Sequence, residues 1–486
     1  MSRRNPFLRF ASPNERRTIS REDVGFYNAL VIAAVYEVGS EDIDLNSAQS
    51  FLSPLKSCIL KHPYLSVVVK DKDTEKPAYE GVSSISLEQH ISIIHDDEMQ
   101  SSGETAILEK VLPPILDRPW PAGVPPWRIV VLPLASPDES KIARCFIAFA
   151  FSHTLGDGMV GLAFHRTFLD AWRETTGADK GEYFLVIPQS RTLPEPFDTP
   201  QRLPISWKFL LGPLAAVLLP KFLAELLGLR ATASAVNAGT WTGSRIFFDP
   251  ASTDNSRLKL LEIEAPLLQN ALQISRKHDA KLTSTLHQLI IRALSKAIPN
   301  RDVTNFVSTT AVDMRGSIGT PGYTWGLFVS GHYDVHPRVL DVAQPALSEE
   351  MWAAASSMTK RLAECATRLQ DQAIGLLRYA PSIRNWMLGK VGQQRDCSYE
   401  VSNLLAFDGN NGVASDKCKI SKMVFVQPGN VPSGPLVFNV ISVKGGSLMC
   451  AITWQAGALG VPIEEEIPLV DDICSSLRAD FEALRD

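Results

Sequence analysis

The chain has 486 residues, of which 45% are hydrophobic and 21% are charged, so it can bury a large core and is longer than most single domains. Its net charge of −5 gives no reason to expect nucleic acid or an anionic membrane as a partner. The seven cysteines contain no CxxC pair and are odd in number, which argues against a disulfide framework or a structural zinc site and favours a reducing, intracellular setting.

The N-terminal segment, MSRRNPFLRFASPNERRTISRED, is rich in arginine but lacks the apolar stretch of a secretory signal. Pro6, Pro13 and Glu15 interrupt any amphipathic helix there, so we expect a solvated tail in preference to an organelle transit peptide. Residues 24–36 are apolar and follow an acidic stretch, a pattern that fits either a helix or a strand.

Three apolar segments of the first half have the pattern of strands. The first ends at Val69, after a predicted helix that stops near Lys61 and a turn at His62. The second covers residues 125–133, and the third, KIARCFIAFAFSH, is apolar on both faces, as in the middle of a sheet. After His153 a glycine-rich turn leads into MVGLAFHRTFLDAW, whose apolar residues recur at helical spacing.

Residues 184–204 are rich in proline and polar residues, which is typical of a linker and indicates a domain boundary. We therefore divide the chain into an N-terminal domain, a crossover and a C-terminal domain, which cover residues 1–200, 201–240 and 241–486. Within the crossover, residues 205–230 are mostly apolar, but their uncharged run from Phe209 to Pro220 is broken by proline and too short to span a bilayer, which needs about 20 apolar residues. This segment fits either a buried helical hairpin or a peripheral contact with a membrane surface.

The second half alternates predicted helices with predicted strands and ends in an antiparallel hairpin at Gly445-Gly446. The predicted helices cover residues 281–298 and 349–369, and the predicted strands cover residues 305–314, 422–427, 436–445 and 447–455. The alternation predicts an α/β fold.

The stretch SHTLGDGMVG places His153 at the end of the doubly buried strand and Asp157 between two glycines. A histidine at such an edge can take a proton from an attacking hydroxyl, amine or thiol, and it can equally serve as a hydrogen-bonding cap of the strand. An aspartate in this turn can fix the loop by pairing with an arginine, without acting as a catalytic partner. Phosphate-loop, zinc-protease and serine-hydrolase motifs (GxxxxGKS/T, HExxH and GxSxG) do not occur.

This HxxxDG stretch resembles the motif of the CoA-dependent acyltransferase superfamily, which includes chloramphenicol acetyltransferase, plant BAHD enzymes, condensation domains and fungal alcohol O-acetyltransferases. The segments LKHPYLSVVV, PPWRIVVL, GTWTGS, AVDMRGSIGTPGYTWGLFVS and SYEVSNLLAF also follow the order and spacing of the alcohol acetyltransferase branch. The resemblance thus covers most of residues 17–460. The plant-type DFGWG motif is absent, and Ser152 stands where condensation domains carry a second histidine.

The resemblance implies two chloramphenicol-acetyltransferase-like α/β domains with an active-site channel at their interface, open to acyl-CoA from one face and to the acceptor from the other. In this scheme His153 matches the general base. Asp157 and Gly158 match the structural part of the motif, and the implied partner of Asp157 is Arg315 in the stretch VDMR.

The tetrahedral intermediate of acyl transfer needs a hydrogen-bond donor for its oxyanion. By position relative to the superfamily, Ser402 and Asn403 are candidates for this donor, although a polar pair on a strand is also common as structure. Tyr323 and Trp325 are candidates for the lining of the acceptor pocket, with ordinary core aromatics as the alternative.

The expected function is a CoA-dependent O-acyltransferase that moves an acetyl group from acetyl-CoA to a hydroxyl of an apolar alcohol or secondary metabolite. Acyl-CoA is the expected cosubstrate, and we expect no permanently bound cofactor, no metal and no nucleic-acid partner. We also expect a cytoplasmic monomer, with membrane association through residues 205–230 as the open alternative. Two other functions stay open: a fold repurposed for binding, cyclisation or rearrangement of a ligand, and a condensation-type N-acyltransferase.

Overall fold

Two large sheets, each packed against helices, organise the chain, which confirms the predicted α/β class. The computed structural model describes residues 5–39, 43–95, 103–135, 142–174, 184–189, 191–219, 223, 235–252, 254–342, 347–409 and 418–484.

The first half contributes nine strands and five helices among the described residues. The strands are β1 Phe7–Phe10, β2 Leu30–Val38, β3 Val67–Lys70, β4 Ala78–Gly81, β5 Ile85–Ser86, β6 Ile91–Ile93, β7 Trp127–Leu134, β8 Ala143–Phe151 and β9 Leu185–Val186. The helices are α1 Pro13–Asp23, α2 Leu52–Lys61, α3 Glu104–Asp117, α4 Gly158–Glu174 and α5 Trp207–Leu218.

The second half contributes seven strands and five helices among the described residues. The strands are β10 Ser256–Ile263, β11 Asn305–Asp313, β12 Val329–Pro337, β13 Tyr399–Phe407, β14 Cys418–Val426, β15 Leu436–Val443 and β16 Leu448–Gln455. The helices are α6 Ala265–Lys277, α7 Leu282–Ala297, α8 Glu349–Thr367, α9 Ile383–Leu388 and α10 Glu466–Ala483.

The first sheet has the strand order β14-β2-β8-β7-β6, so β8 is its central strand, as its doubly apolar sequence predicts. Helix α4 follows β8 and covers one face of this sheet, where the ring of Phe164 stacks on that of Phe149 at a centroid distance of 3.8 Å. The ambiguous apolar segment at residues 24–36 belongs to the neighbouring strand β2 from Leu30 onwards, and the side chains of this strand are buried almost throughout. A strand and a helix buried together thus bring the loop between them to the edge of the sheet.

The solvated tail expected at the N-terminus is wrong for residues 13–23, which form helix α1 and bury much of their polar surface. Pro13 is the first residue of the helix, where its missing N–H costs nothing. The side chain of Ser12 accepts a hydrogen bond from the Glu15 amide, and Glu15 accepts one from the Ser12 amide, which completes a capping box. Two of the three residues expected to interrupt a helix, Pro13 and Glu15, therefore start one, while Pro6 lies before β1.

The second sheet has the order β10-β16-β15-β13-β11-β12, with β13 parallel to both of its neighbours. The predicted hairpin is confirmed, since β15 and β16 pair antiparallel on either side of the two glycines. Strand β14 leaves this half of the chain and pairs antiparallel with β2 as an edge of the first sheet. The two halves are therefore joined by a shared strand as well as by packing.

The crossover begins with α5, on which Trp207 and Leu211 are exposed. Much of the remaining segment up to residue 234 lies outside the described residues, so the choice between a buried hairpin and a membrane contact stays a prediction there. None of the helices in the described part of the chain reaches the length and apolar character that crossing a bilayer requires. The domain boundaries at residues 200 and 240 also stay predictions.

Candidate active site

The turn after β8 carries His153, whose ring is fixed by its neighbours. Its Nδ1 lies 2.8 Å from the carbonyl oxygen of Gly156. Because a carbonyl only accepts hydrogen bonds, Nδ1 carries the proton and Nε2 keeps its lone pair. The ring of Tyr27 packs beside the imidazole, with the two ring centroids 5.5 Å apart. The histidine is thereby held in the tautomer that accepts a proton at Nε2.

The imidazole of His153 is neutral at physiological pH. Burial, followed by the positive charges of Arg21 and Arg17, lowers its pKa to about 4. The charge of Asp157 and the hydrogen bond to Gly156 act in the opposite direction but do not overcome these effects. A general base must be unprotonated at the start of the reaction, and this side chain meets that condition.

The main chain on both sides of His153 is anchored to other elements. The hydroxyl of Ser152 donates to Glu22 of α1 and contacts the hydroxyl of Thr154 at 2.8 Å. The carbonyl of Thr154 in turn accepts a hydrogen bond of 2.7 Å from the hydroxyl of Tyr79 on β4. The loop is therefore held by buried polar contacts before any substrate is present.

Asp157 joins the same loop to the second half of the chain. Its carboxylate accepts two hydrogen bonds from Arg315, at 2.8 and 3.0 Å, and one each from the amides of Phe328 and Met159, at 2.9 and 3.1 Å. Both charged side chains are almost fully buried, at 1% and 7% exposure. Burial lowers the pKa of Arg315, but the charge and hydrogen bonds of Asp157 outweigh burial and hold that pKa above its usual value. The structure thus brings these two residues together as an interdomain clamp.

Two glycines allow the loop to approach its neighbours closely. Gly156 has φ of 154°, and a Cβ there would lie 2.3 Å from a methyl group of Val160. A Cβ on Gly158 would lie 2.7 Å from a methyl group of Leu404 on β13. Gly156 therefore excludes larger residues for reasons of backbone conformation and space, whereas a larger residue at Gly158 would require the side chain of Leu404 to move.

His153 opens into a cavity of about 290 Å³ that lies between the two sheets. Its walls come from α1, from the facing strands β11, β12 and β13, and from the end of β14. This volume is close to the lower end of the range for small-molecule sites, about 300 Å³. Across the described ranges, no group of three or more His, Cys, Asp and Glu side chains is arranged to hold a metal ion.

The adjacent residues Ser402 and Asn403 point to opposite sides of β13, as alternation along a strand requires. Ser402 lines the His153 cavity, and its hydroxyl makes no hydrogen bond to any described residue. Asn403 instead donates to the hydroxyl of Thr283 at 3.0 Å and lines a second cavity. Of the two oxyanion candidates, only Ser402 shares a cavity with His153.

The second cavity, of about 430 Å³, lies behind β13 near the end of α6 and the start of α7. Two cationic residues, Arg276 and Lys281, line it together with apolar side chains such as Leu268. Leu405 reaches it from a bulge in β13, where its φ is 62°. Strand β13 therefore separates one cavity that contains His153 from another that contains basic residues.

The structure does not bring Tyr323 and Trp325 to the His153 cavity. Trp325 is buried in the core of the first half and stacks on His62 at a centroid distance of 4.6 Å. The ring of Tyr323 lies under the guanidinium of Arg166, 4.9 Å from its centroid. Their acceptor-pocket role thus stays a prediction, and their observed contacts are those of packing.

Three residues that line or support the cavity were not identified from the sequence: Arg17 and Arg21 of α1, and Tyr27 just after it. The available signal was the S-x-x-E stretch at Ser12 to Glu15, which indicates a helix start. With that helix recognised, the four-residue spacing of the two arginines places them on one face.

Comparison with known proteins identifies the family. The sequence model of the alcohol acetyltransferase family matches residues 94–479. The probable alcohol acetyltransferase FCK4 of Fusarium pseudograminearum is 23% identical over 440 residues, which cover 87% of this chain and 85% of the relative. The probable alcohol acetyltransferase crmB of Aspergillus fumigatus is 21% identical over 467 residues, with coverage of 90% and 92%.

Solved structures share the fold. The trichothecene 15-O-acetyltransferase TRI3 of Fusarium sporotrichioides aligns with a TM-score of 0.63 and 13% identity, over 98% of this chain and 94% of that one. TRI101 of F. graminearum, solved with ethyl coenzyme A, aligns with a TM-score of 0.56 and 13% identity, over 93% and 96%. These likenesses confirm the predicted acyltransferase-like fold. Because the family match covers most of its length, the chain belongs to the alcohol acetyltransferase family and is an acyltransferase.

Proposed function

We propose that this acyltransferase moves an acetyl group from acetyl-CoA to the hydroxyl of a small alcohol, with Nε2 of His153 as the general base. The observation that carries the proposal is the state of this histidine: Nδ1–H donates to the Gly156 carbonyl, and the ring opens into a cavity between the two sheets. An imidazole fixed in this way can act at Nε2 without first losing a proton.

In the proposed reaction the acceptor oxygen attacks the thioester carbonyl while its proton passes to Nε2 of His153. The carbonyl oxygen becomes an oxyanion in a tetrahedral intermediate. When that intermediate collapses, the carbon–sulfur bond breaks, the ester is released, and the imidazolium returns the proton to the CoA sulfur. The base is thus regenerated in each cycle, and no further reactant is required.

Ser402 is our candidate for the donor that stabilises the oxyanion. It lies on the strand that faces His153 across the cavity, and its hydroxyl is not engaged by any described residue. A donor that already points at the developing charge loses little in reorganisation, and removal of such a donor typically costs about 100- to 1,000-fold in rate.

The two cavities on either side of β13 support separate entrances for the two substrates. The cavity with Arg276 and Lys281 has positive charge for the phosphates of acetyl-CoA and apolar surface for its pantetheine arm. The cavity with His153 would then receive the alcohol. Acetyl-CoA is consumed in this scheme as a cosubstrate and is not a resident cofactor.

The proposal extends to the state of the protein in the cell. We expect a cytoplasmic monomer, and sedimentation equilibrium would check the monomeric state. The exposed Trp207 and Leu211 on α5 support a peripheral membrane contact through residues 205–230. Flotation with neutral liposomes tests this contact, since binding should weaken when both residues are replaced by serine.

A thiol-release assay over a panel of acyl-CoA donors and alcohols tests the function. Wild-type protein should release CoA thiol with acetyl-CoA and at least one alcohol, and His153→Ala should lower the rate by about 100- to 10,000-fold. His95→Ala is the matched control, because His95 is an exposed histidine of the same half and should leave the rate unchanged. Full activity in His153→Ala would rule out the proposed base.

A further inference from the structure

Two arginines of α1 face the cavity that contains His153. Arg17 and Arg21 are four residues apart, so they lie on one face of the helix, and both line the cavity. Arg16, on a different face of the same helix, instead forms an ion pair with Glu75. The helix thus directs two positive charges to the site and pairs a third elsewhere.

Within the described part of the chain, neither cavity arginine has a carboxylate oxygen within 4 Å. The Nε of Arg17 donates to the amide oxygen of Asn14 at 3.2 Å, and its terminal N–H groups have no acceptor among the described residues. Arg21 is 7% exposed and donates to the amide oxygen of Asn430 at 2.8 Å, while its buried Nε has no hydrogen-bond partner. A buried guanidinium such as that of Arg21 normally has an anionic partner, and here that partner is missing from the described chain.

The carboxylate of Glu400 also lines the cavity, but it is not bonded to either arginine. It accepts a hydrogen bond of 2.8 Å from Asn430, whose other end faces Arg21. The amide of Asn430 therefore spaces the positive and negative groups apart. One carboxylate opposes two guanidinium groups, so these three charges leave the arginine side positive.

The remaining charged groups of the cavity neutralise one another. Lys390 forms an ion pair with Asp396, and Asp157 is bonded by Arg315. Neither pair offers a free carboxylate to α1. The positive charge of Arg17 and Arg21 is therefore not cancelled by the other charged residues that line the cavity.

The arginines lie close to the reacting position. The guanidinium carbon of Arg21 is 4.4 Å from the centroid of Tyr27, and that centroid is 5.5 Å from the centroid of His153. These distances place the charge within about 10 Å of the imidazole, near enough to act on it. In acetyl-CoA the pantetheine arm separates the phosphates from the thioester by roughly a dozen bonds. The phosphates could reach the arginines only if this arm folded back, so an anion bound there while the thioester is at His153 fits the acceptor better than it fits CoA.

We propose that the acceptor is a hydroxy acid, whose carboxylate is bound by Arg17 and Arg21 while its hydroxyl reaches Nε2 of His153. This inference rests on the proposed function and narrows its acceptor class. A planar guanidinium suits a carboxylate because it presents two parallel N–H donors. An acceptor in which about six bonds separate the hydroxyl from the carboxylate spans about 7 Å when extended, which lies within the upper limit of about 10 Å set by these ring distances.

The electrostatics of the free protein agree with this assignment. Burial and the charge of Arg21 lower the pKa of Arg17 to about 10, and burial lowers the pKa of Arg21. A bound carboxylate would reverse both effects by favouring the charged guanidinium. The same anion would offset the influence of the arginines on His153 and make that imidazole a stronger base in the complex.

Matched acceptor pairs test the inference directly. Thiol release from acetyl-CoA is measured with ω-hydroxy acids of four to eight carbons and with their methyl esters, which keep the hydroxyl and lose the charge. We expect kcat/KM to favour at least one acid over its ester. Arg17→Gln should lower kcat/KM for that acid by roughly 10- to 100-fold, the value of a charge-assisted hydrogen bond, and should abolish the preference for the acid over its ester. Arg17→Lys should recover part of the loss.

Control variants and a truncated donor complete the experiment. Arg16→Gln, on the same helix, should leave kcat/KM unchanged for both the acid and the ester. S-acetyl-N-acetylcysteamine lacks the phosphates, so the acid preference should persist with this donor. If Arg17→Gln raises KM for acetyl-CoA but leaves the truncated donor unaffected, the arginines bind CoA phosphate and the inference is overturned.

The inference and the proposed function fail in different ways. If the wild-type enzyme uses esters or neutral alcohols as well as it uses acids, with loss of activity in His153→Ala, the function holds and the hydroxy-acid inference is wrong. If no acyl donor releases thiol with any alcohol, the proposed function itself is wrong. A folding defect in Arg17→Gln does not block the test, because hexanoate should raise the thermal midpoint of the wild-type protein more than methyl hexanoate, and equal shifts would count against the inference.

Discussion

Asp157→Asn separates a positioning role of the interdomain clamp from a direct role in the reaction. Asparagine keeps the shape of the side chain, but its single carbonyl oxygen cannot accept the four hydrogen bonds that the carboxylate receives. The NH₂ group would face donors from Arg315 or Phe328. The guanidinium would then stay almost fully buried with only the carboxylate of Asp313 to compensate its charge.

Loss of one partner from a buried ion pair typically costs about 3–5 kcal/mol. We expect a cost in the lower part of this range, because Arg315 keeps contacts to Asp313 at 2.9 Å and to the carbonyl of Thr324. We therefore expect Asp157→Asn to lower the thermal midpoint by several degrees. Because the clamp holds the loop that carries His153, and a shift of about 1 Å can cost about 100-fold in rate, kcat should fall by a similar factor.

A double variant distinguishes placement from stability. Asp157→Leu with Arg315→Met removes both charges and should recover part of the thermal midpoint, since buried ion pairs can be replaced by apolar groups at little cost. It should not recover turnover, because the loop has lost its directional contacts. Glu364→Gln, in an exposed pair of α8, is the control and should change neither quantity. Wild-type turnover in Asp157→Asn, or full recovery in the double variant, would refute the positioning role.

Three further predictions concern the same loop and cavity. Because the pKa of His153 is lowered to about 4, kcat/KM for a neutral alcohol should stay constant as the pH is lowered from 6.5 and should fall only as the pH drops through about 4. Arg17→Gln removes a positive charge and should therefore shift this fall in kcat/KM to higher pH, which a pH–rate profile would reveal. Ser402→Ala should lower kcat by about 100-fold or more with little change in the KM of either substrate. An unchanged kcat would contradict the oxyanion role of Ser402. Gly156→Ala should destabilise the protein by about 1–3 kcal/mol, because of its backbone angle and the contact with Val160; an unchanged unfolding midpoint would show that the loop tolerates a side chain.

Local patterns were sufficient for the elements that carry the motif. Strand β8 is apolar on both faces because it is the central strand of its sheet, and α4 repeats its apolar residues at helical spacing because one face packs on that sheet. Composition alone does not predict helix α1, because proline and glutamate interrupt an amphipathic helix in its interior, whereas at the first and third positions of a helix they favour its start. The same residue types thus have opposite effects at different positions of one element.

Local sequence patterns did not indicate which strands pair with one another when they are far apart in the chain. The segment KMVFVQ has the composition of a strand, but nothing within it indicates that β14 pairs with β2 in the first sheet. Similarly, the resemblance supplied Ser402 and Asn403 as a pair, and only the orientation of β13 decides which one faces His153. Register and partner choice depend on packing between distant segments, so they appear only when the chain is assembled.

Both halves of the chain are required to form the cavity. His153 comes from the first half, but the facing wall with Ser402 comes from the second, and the Asp157–Arg315 clamp fixes the distance between them. Helix α1 then adds the arginines from the N-terminal end of the chain. If His153 is the base, a change at the α1 arginines should therefore alter acceptor preference and the pKa of the imidazole together, while the clamp keeps the ring in its place.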